Sequence, residues 1–335
     1  MTASWRASAG HRRRSSSRHL TRGRRRYRGR AAAVCLAVLL AAVASGLAWR
    51  VMHRPDPPAT VPALPTAPNS YLGVYVDGVP ASYAGVISFT RATSVRPNVL
   101  SYYSGWMEPF GTSFAVTARR HGAVTLVQLD PTRVSVAAIA AGRYDRYLTT
   151  YAKAVRAFGG PVILSFGHEM NGHWYSWGYR HTPPATFVAA WRHLVAVFRA
   201  AGTRNVTWMW TVNAVKPGHG IPSPAKWWPG KAYVTWVGID GYYHEPSAQF
   251  TSVFGPTIAE VRLFTQDPIL ISETGASLAV GQPAKIAGLF AGVRAYGLLG
   301  FLWFDVVANN DYRIDSPTSI VALRLGARAL SGRAS

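Results

Sequence analysis

Apolar residues in this chain come in short runs separated by longer amphipathic stretches. From residue 71 onward eight β-rich runs recur about every 33 residues: YLGVYV from 71, NVLSYY from 98, VTLVQL from 124, PVILSF from 161, NVTWMW from 205, VTWVGID from 234, PILISE from 268 and LLGFLWF from 298. Runs of this length, nearly continuous in branched and aromatic residues, suit strands covered on both faces. Between them, YDRYLTTYAKAVRAFG (144–159), PATFVAAWRHLVAVFRAAG (184–202) and PAKIAGLFAGVRAYG (283–297) carry the helical period, and each closes on glycine. Strands alternating with helices imply a parallel sheet, and eight such units over residues 71–335 match the count and size of a (β/α)8 TIM barrel. A doubly wound sheet is the competing α/β architecture. No G-x-G-x-x-G follows the first run and no G-x-x-x-x-G-K-[ST] occurs anywhere, so its nucleotide-binding versions lack support.

Ahead of the repeating part the pattern changes three times. Residues 1–30 carry eleven arginines and no acid, and read as a basic cytoplasmic tail. Residues 31–49, AAAVCLAVLLAAVASGLAW, are nineteen positions without a charge between Arg30 and Arg50. That length matches a bilayer-crossing helix, and the arginines on its N-terminal side predict that this side stays cytoplasmic and that the rest lies outside. The segment reads as an uncleaved signal anchor, with a cleaved signal peptide as the alternative suggested by Ala42-Val43-Ala44. Residues 50–70 are rich in proline and predict a semi-extended spacer.

Locating the charge changes what the composition implies. The formal +22 suggests a nucleic-acid binder, yet residues 71–335 hold 23 Lys/Arg against 13 Asp/Glu, so much of the basicity belongs to the tail. No interleaving of basic and aromatic residues follows in the barrel region, and no nucleic-acid partner is expected. Cys35, the only cysteine, lies within the apolar segment and can form no intramolecular disulfide. Nothing in the sequence calls for a cofactor or a protein partner.

The stretch SFGHEMNGHWYSWG (165–178) holds the densest candidate chemistry. It nearly spells the helical zinc signature H-E-x-x-H, but the second histidine, His173, sits five positions after His168, about 140° around a helix from it. Asn171-Gly172 is moreover a turn signal, so the segment reads as a strand running into a loop. In a barrel, functional residues gather at the C-terminal ends of strands. The polar residues fall there: the fourth run ends in SFGHEMN, the fifth in WMWTVN, the sixth in GIDGYYH, the seventh in ISETG and the eighth in WFDV. Glu169 and Glu273 stand at the ends of the fourth and seventh strands among aromatics. Two carboxylates facing one cavity are what glycoside hydrolysis needs, one to protonate the leaving oxygen and the other to attack or to activate water.

HEMNG followed by WYSWG, with YVTWVGIDGYY and ETG downstream, resembles glycoside hydrolase family 26, a family of β-mannanases with some β-glucanases and β-xylanases. The resemblance covers roughly residues 71–330. It implies a retaining (β/α)8 hydrolase of a polysaccharide, β-1,4-mannan being the first candidate, with Glu169 as acid/base and Glu273 as nucleophile. It further implies that His168 lines the subsite of the sugar to be attacked, that Tyr242 hydrogen-bonds the nucleophile and that Trp303 floors that subsite. Trp174 and Trp177 would border the leaving-group side, Trp177 being alternatively a core aromatic. Asp240 either orients a neighbour or caps its loop, and Asn213 is similarly open. Where mannanases usually carry an arginine and a proline before the histidine, this chain has Ser165-Phe166-Gly167, which leaves the substrate open. The chemistry sets an electrostatic expectation: apolar walls raise Glu169 toward neutral pH while hydrogen bonds, with Tyr242 as donor, keep Glu273 ionised, giving a bell-shaped pH profile.

Overall fold

A computed structural model of the chain describes residues 63–215 and 220–331. Eight strands form a closed barrel in chain order: β1 (Tyr71–Val76), β2 (Val99–Gly105), β3 (Val124–Asp130), β4 (Val162–Phe166), β5 (Val206–Asn213), β6 (Trp236–Asp240), β7 (Ile269–Thr274) and β8 (Gly300–Asp305). Every neighbouring pair is parallel, and β1 closes the sheet on β8 in unbroken register from Tyr71↔Gly300 to Val76↔Asp305. The eight sequence runs are these eight strands. Nine α-helices occur among the described residues: α1 (Ala84–Thr93), α2 (Thr112–Arg120), α3 (Val136–Ala140), α4 (Asp145–Phe158), α5 (Pro184–Ala200), α6 (Phe250–Val253), α7 (Gly255–Arg262), α8 (Gln282–Ala295) and α9 (Pro317–Ser331).

The alternation expected from the sequence fails at one connection. Between β5 and β6 the described residues hold only two 3-10 turns, Pro224–Trp227 and Lys231–Tyr233. Pro222, Pro224 and Pro229 explain this, since proline removes a backbone donor and clashes with the preceding helical turn. Residues 63–70, expected within the spacer, are instead bound to the barrel. Asn69 N donates to Leu298 O, Tyr71 OH to Pro65 O, and Leu64 packs on the barrel's inner apolar cluster. The tail, the apolar segment and the spacer up to residue 62 lie outside the described residues, and among those described no helix is long and apolar enough to cross a membrane.

The barrel interior is divided along its axis. Near the strand starts it is apolar, with Tyr71, Val99, Leu126, Ile163, Met209, Trp236, Leu270 and Leu302 in one cluster. Higher up the inward positions turn polar: Gln128, Ser165, Thr211 and Ser272 are all buried, and Ser165 and Thr211 share a 2.9 Å hydrogen bond. Gly238 belongs to this layer because a Cβ there would lie 2.5 Å from Ser272 Oγ and 2.6 Å from Thr211 Oγ1. The outward faces of the strands meet the helices in a larger cluster that includes Trp191, Trp210 and Phe198. Apolar residues thus seal the base of the barrel, and the side chains that can do chemistry are lifted toward its mouth.

Candidate active site

β4 ends at Phe166, and the chain then turns through two left-handed residues, Gly167 (φ 55°) and Glu169 (φ 53°). A glutamate in this region is strained, and such strain persists only where the surroundings impose it. Here Glu169 N donates to Thr211 O and Gly172 N to Glu169 O, locking the turn that lifts the carboxyl into the mouth. Both carboxyl oxygens then accept an N–H: Asn213 Nδ2 reaches Oε1 at 2.7 Å and Trp174 Nε1 reaches Oε2 at 2.7 Å. Asn213, left open by sequence, is therefore a direct partner of Glu169. Asn171 holds it in place by bonding both the N–H and the C=O of its backbone.

Glu273 lies on β7 beside Asp240 of β6, where the register of the two strands shifts. Tyr242 OH donates to its Oε1 at 2.5 Å. Desolvation inside the barrel raises the Glu273 carboxyl to about 8. The Tyr242 hydrogen bond therefore does not keep Glu273 in the usual carboxylate range, contrary to expectation. Desolvation also pushes Asp240 well up, reinforced by the nearby Glu169; its Oδ1 accepts from Ser272 Oγ at 2.6 Å, while Oδ2 has no protein partner.

His168 is buried between two partners, with Nδ1 2.8 Å from Asp130 Oδ1 and Nε2 3.1 Å from Tyr175 OH. Burial opposes its charge, but Asp130, Glu169 and Asp240 together outweigh burial and raise it to about 9. The imidazolium therefore persists at neutral pH. Asp130, which sequence reasoning missed, ends the third apolar run just as Asp240 ends the sixth. Tyr175 was hidden among the aromatics of WYSWG, where only three-dimensional contact singles it out.

Two of the expected tryptophans are not brought to the mouth. Trp177 is 3% exposed; its Nε1 donates to His168 O at 2.7 Å and its ring stacks on Tyr175 at 4.4 Å, so it supports His168 from behind. Trp303 is 1% exposed and joins the outer core, with Nε1 donating to Tyr312 O. Strand alternation is the reason: Phe301 and Trp303 point to the helix side, and Phe304 takes the inward position. Phe304 stacks on Tyr75 at 4.9 Å and meets the Tyr242 ring edge-on at 6.1 Å. Trp174, by contrast, is 45% exposed and stands at the mouth.

A cavity of about 520 Å³ opens beside these groups, lined by Trp174, Asn213 and Tyr242 together with His244, Glu245 and Ser247. The donors to both glutamates thus share one cavity. No cluster of three or more potential metal ligands occurs among the described residues.

Comparison with known proteins adds an independent observation. Residues 138–279 match glycosyl hydrolase family 26, a span that contains both Glu169 and Glu273. Endoglucanase H of Acetivibrio thermocellus is 28% identical over 270 residues, covering 76% of this chain and 30% of that protein. Mannan endo-1,4-beta-mannosidase A and B of Caldalkalibacillus mannanilyticus is 25% identical over 139 residues, covering 39% of this chain and 24% of its own length. The chain thus spans about a third or less of each of these two relatives. Among solved structures, the Bacillus subtilis mannanase BCman superposes with a TM-score of 0.58 at 19% identity, covering 76% of this chain and 85% of that one. The catalytic domain of the Bacillus sp. JAMB-750 endo-beta-1,4-mannanase superposes with a TM-score of 0.61 at 15% identity, covering 77% and 85%. At these identities the structural likeness speaks for the fold alone.

Proposed function

From the match of residues 138–279 to glycosyl hydrolase family 26, we propose that this chain is a retaining glycoside hydrolase that cleaves internal β-linkages of a polysaccharide, with Glu169 as acid/base and Glu273 as nucleophile. The observation that carries this reading is the convergence of Trp174, Asn213 and Tyr242, the donors to the two carboxylates, on one cavity. A pure binding groove has no need of paired carboxylates, each held by its own donors.

In the first step the ionised fraction of Glu273, which grows as pH rises toward 8, attacks the anomeric carbon while Glu169 passes its proton to the glycosidic oxygen. The C–O bond breaks, and a glycosyl ester forms on Glu273. In the second step Glu169 takes a proton from water, the water oxygen attacks the anomeric carbon, and Glu273 leaves as carboxylate. Tyr242 donates to Glu273 wherever negative charge collects on it. One oxygen of Glu169 must be freed to reach the substrate, and the bond from the half-exposed Trp174 is the one that yields. The His168 imidazolium, fixed by Asp130, places positive charge next to a site that otherwise holds three carboxyl groups.

β-1,4-Mannan remains the first substrate to test. β-Glucan ranks beside it, because the relative aligned over 76% of this chain carries the name endoglucanase. Residues 31–49 are read as the anchor that holds the barrel outside the cytoplasmic membrane. Reducing-sugar release by the purified chain from β-mannan, mixed-linkage β-glucan, β-1,3-xylan and cellulose, with Glu169→Ala and Glu273→Ala alongside, tests the activity. Release from one polymer that disappears in both variants is the expected result. A folded protein silent on the whole panel would favour a non-hydrolytic polysaccharide-binding role.

A further inference from the structure

The charges of the barrel are sorted by face. Seven of the nine described α-helices carry an arginine in their last turn, which in this fold lies at the base, the end opposite the carboxylates. Arg91, Arg119, Arg120, Arg156, Arg199 and Arg294 are all exposed there. Cations at helix C-termini complement the helix dipole, but dipole matching alone would place acids at the other ends as well. Only one helix, α4, has an acid in its first turn, Asp145. Of the thirteen acids from residue 71 onward, Glu260 and Asp267 alone lie on the base side, and the others belong to the half that carries the site. The molecule is thus polarised, with its excess positive charge on the face away from the cavity.

The chain also enters the barrel at this face. Tyr71 N donates to Leu299 O, and Pro65 and residues 67–72 line a concavity of about 820 Å³ together with Arg96, Arg324 and Arg328. Thirteen residues, 50–62, separate the described chain from the apolar run, and even fully extended they span no more than about 45 Å.

We propose that the arginine-rich base of the barrel docks on an anionic lipid bilayer, so that the catalytic mouth faces away from the membrane. This rests on the anchored topology proposed above. Each arginine brought to an anionic bilayer surface raises partitioning roughly fivefold, so a face with six or more exposed arginines is held at physiological salt once tethered nearby. Docking in this orientation leaves the mouth open to a polymer larger than the gap between domain and membrane.

The test uses the full chain in vesicles, with Cys35→Ser and one introduced label site, either Ala329→Cys at the base or Ala279→Cys at the mouth. Energy transfer to an acceptor lipid reports which face lies closer. In vesicles containing phosphatidylglycerol the base label is expected to transfer more than the mouth label. The difference should shrink in phosphatidylcholine vesicles, in 0.5 M NaCl (where the Debye length is only about 4 Å), and in the combined variant Arg91→Glu, Arg119→Glu and Arg294→Glu. Equal transfer from both labels, transfer indifferent to lipid charge and salt, or displacement by a soluble anionic wall polymer at concentrations where vesicles still compete, would overturn the proposal. Flotation with phosphatidylcholine vesicles reads the anchor separately, and hydrolysis of a soluble polysaccharide reads the activity. If the chain does not anchor, docking still requires salt-reversible flotation with phosphatidylglycerol vesicles, and its absence refutes the proposal.

Discussion

Replacing Tyr242 by Phe removes one hydroxyl and keeps the ring against Phe304 and Tyr312. That hydroxyl supplies the hydrogen bond to the Glu273 carboxyl, which burial has already raised to about 8. A hydrogen bond to a charged group contributes about 1.5–3 kcal/mol, and 1.36 kcal/mol corresponds to one pH unit, so the ionisation of Glu273 should move up by about one to two units. The assay must read Glu273 without its acid partner. A 2-deoxy-2-fluoro glycoside with a dinitrophenolate leaving group serves, because departure of that group needs no proton and the trapped ester is seen by mass. In the unaltered protein the labelling rate is expected to rise with pH to half-maximum near pH 8. In Tyr242→Phe the curve should shift to about pH 9–10, making labelling at pH 7 roughly 10–100-fold slower at a similar plateau. Half-maximal labelling below pH 6 in the unaltered protein, or a curve that does not move in the variant, would refute the electrostatic account of Glu273.

Two further outcomes follow from the same geometry. Asn213→Ala removes one of two N–H donors to Glu169 while the Asn171 clamp on its backbone remains; turnover of the best polysaccharide should fall about 10–100-fold with an unchanged thermal midpoint. His168 is raised from 6.5 to about 9, so the stability it contributes is fully present below pH 6.5 and is lost as pH rises through 9, amounting to about 3 kcal/mol. Glu273, raised from 4.5 to about 8, adds to the decline from lower pH. Urea unfolding should therefore show stability dropping from pH 5 to 9, and His168→Gln should flatten the portion above pH 6.5. An undiminished slope in that variant would mean that His168 is not held protonated by Asp130.

The architecture was legible because a parallel barrel buries its strands on both faces, so each strand writes itself as an apolar run and each helix as a 3.6-residue period. All eight strands begin within two residues of the sequence runs, and the helix expected over 144–159 is Asp145–Phe158. The lack of an α-helix among the described residues between β5 and β6 was written in the prolines there, yet the regular spacing of the runs concealed it. Polar residues at strand ends pointed to Glu169, Glu273 and Tyr242, because the period-2 alternation delivers them to the mouth once the chain leaves the sheet.

What the sequence alone determined is the barrel and its polar rim, including the two strand-end glutamates proposed as the carboxylate pair, since these depend on local periodicity and on residue type. The tertiary structure decided which neighbours those groups meet. Strand parity turns Trp303 outward and Phe304 inward; a left-handed turn aims Glu169 at Asn213, forty-four positions away; Asp130 reaches His168 across thirty-eight. Desolvation, which depends on the whole closed sheet rather than on any segment, raises Glu273 despite its Tyr242 donor. Sequence patterns record which face a residue takes within its own element, while desolvation and long-range partners exist only after the eight strands have closed.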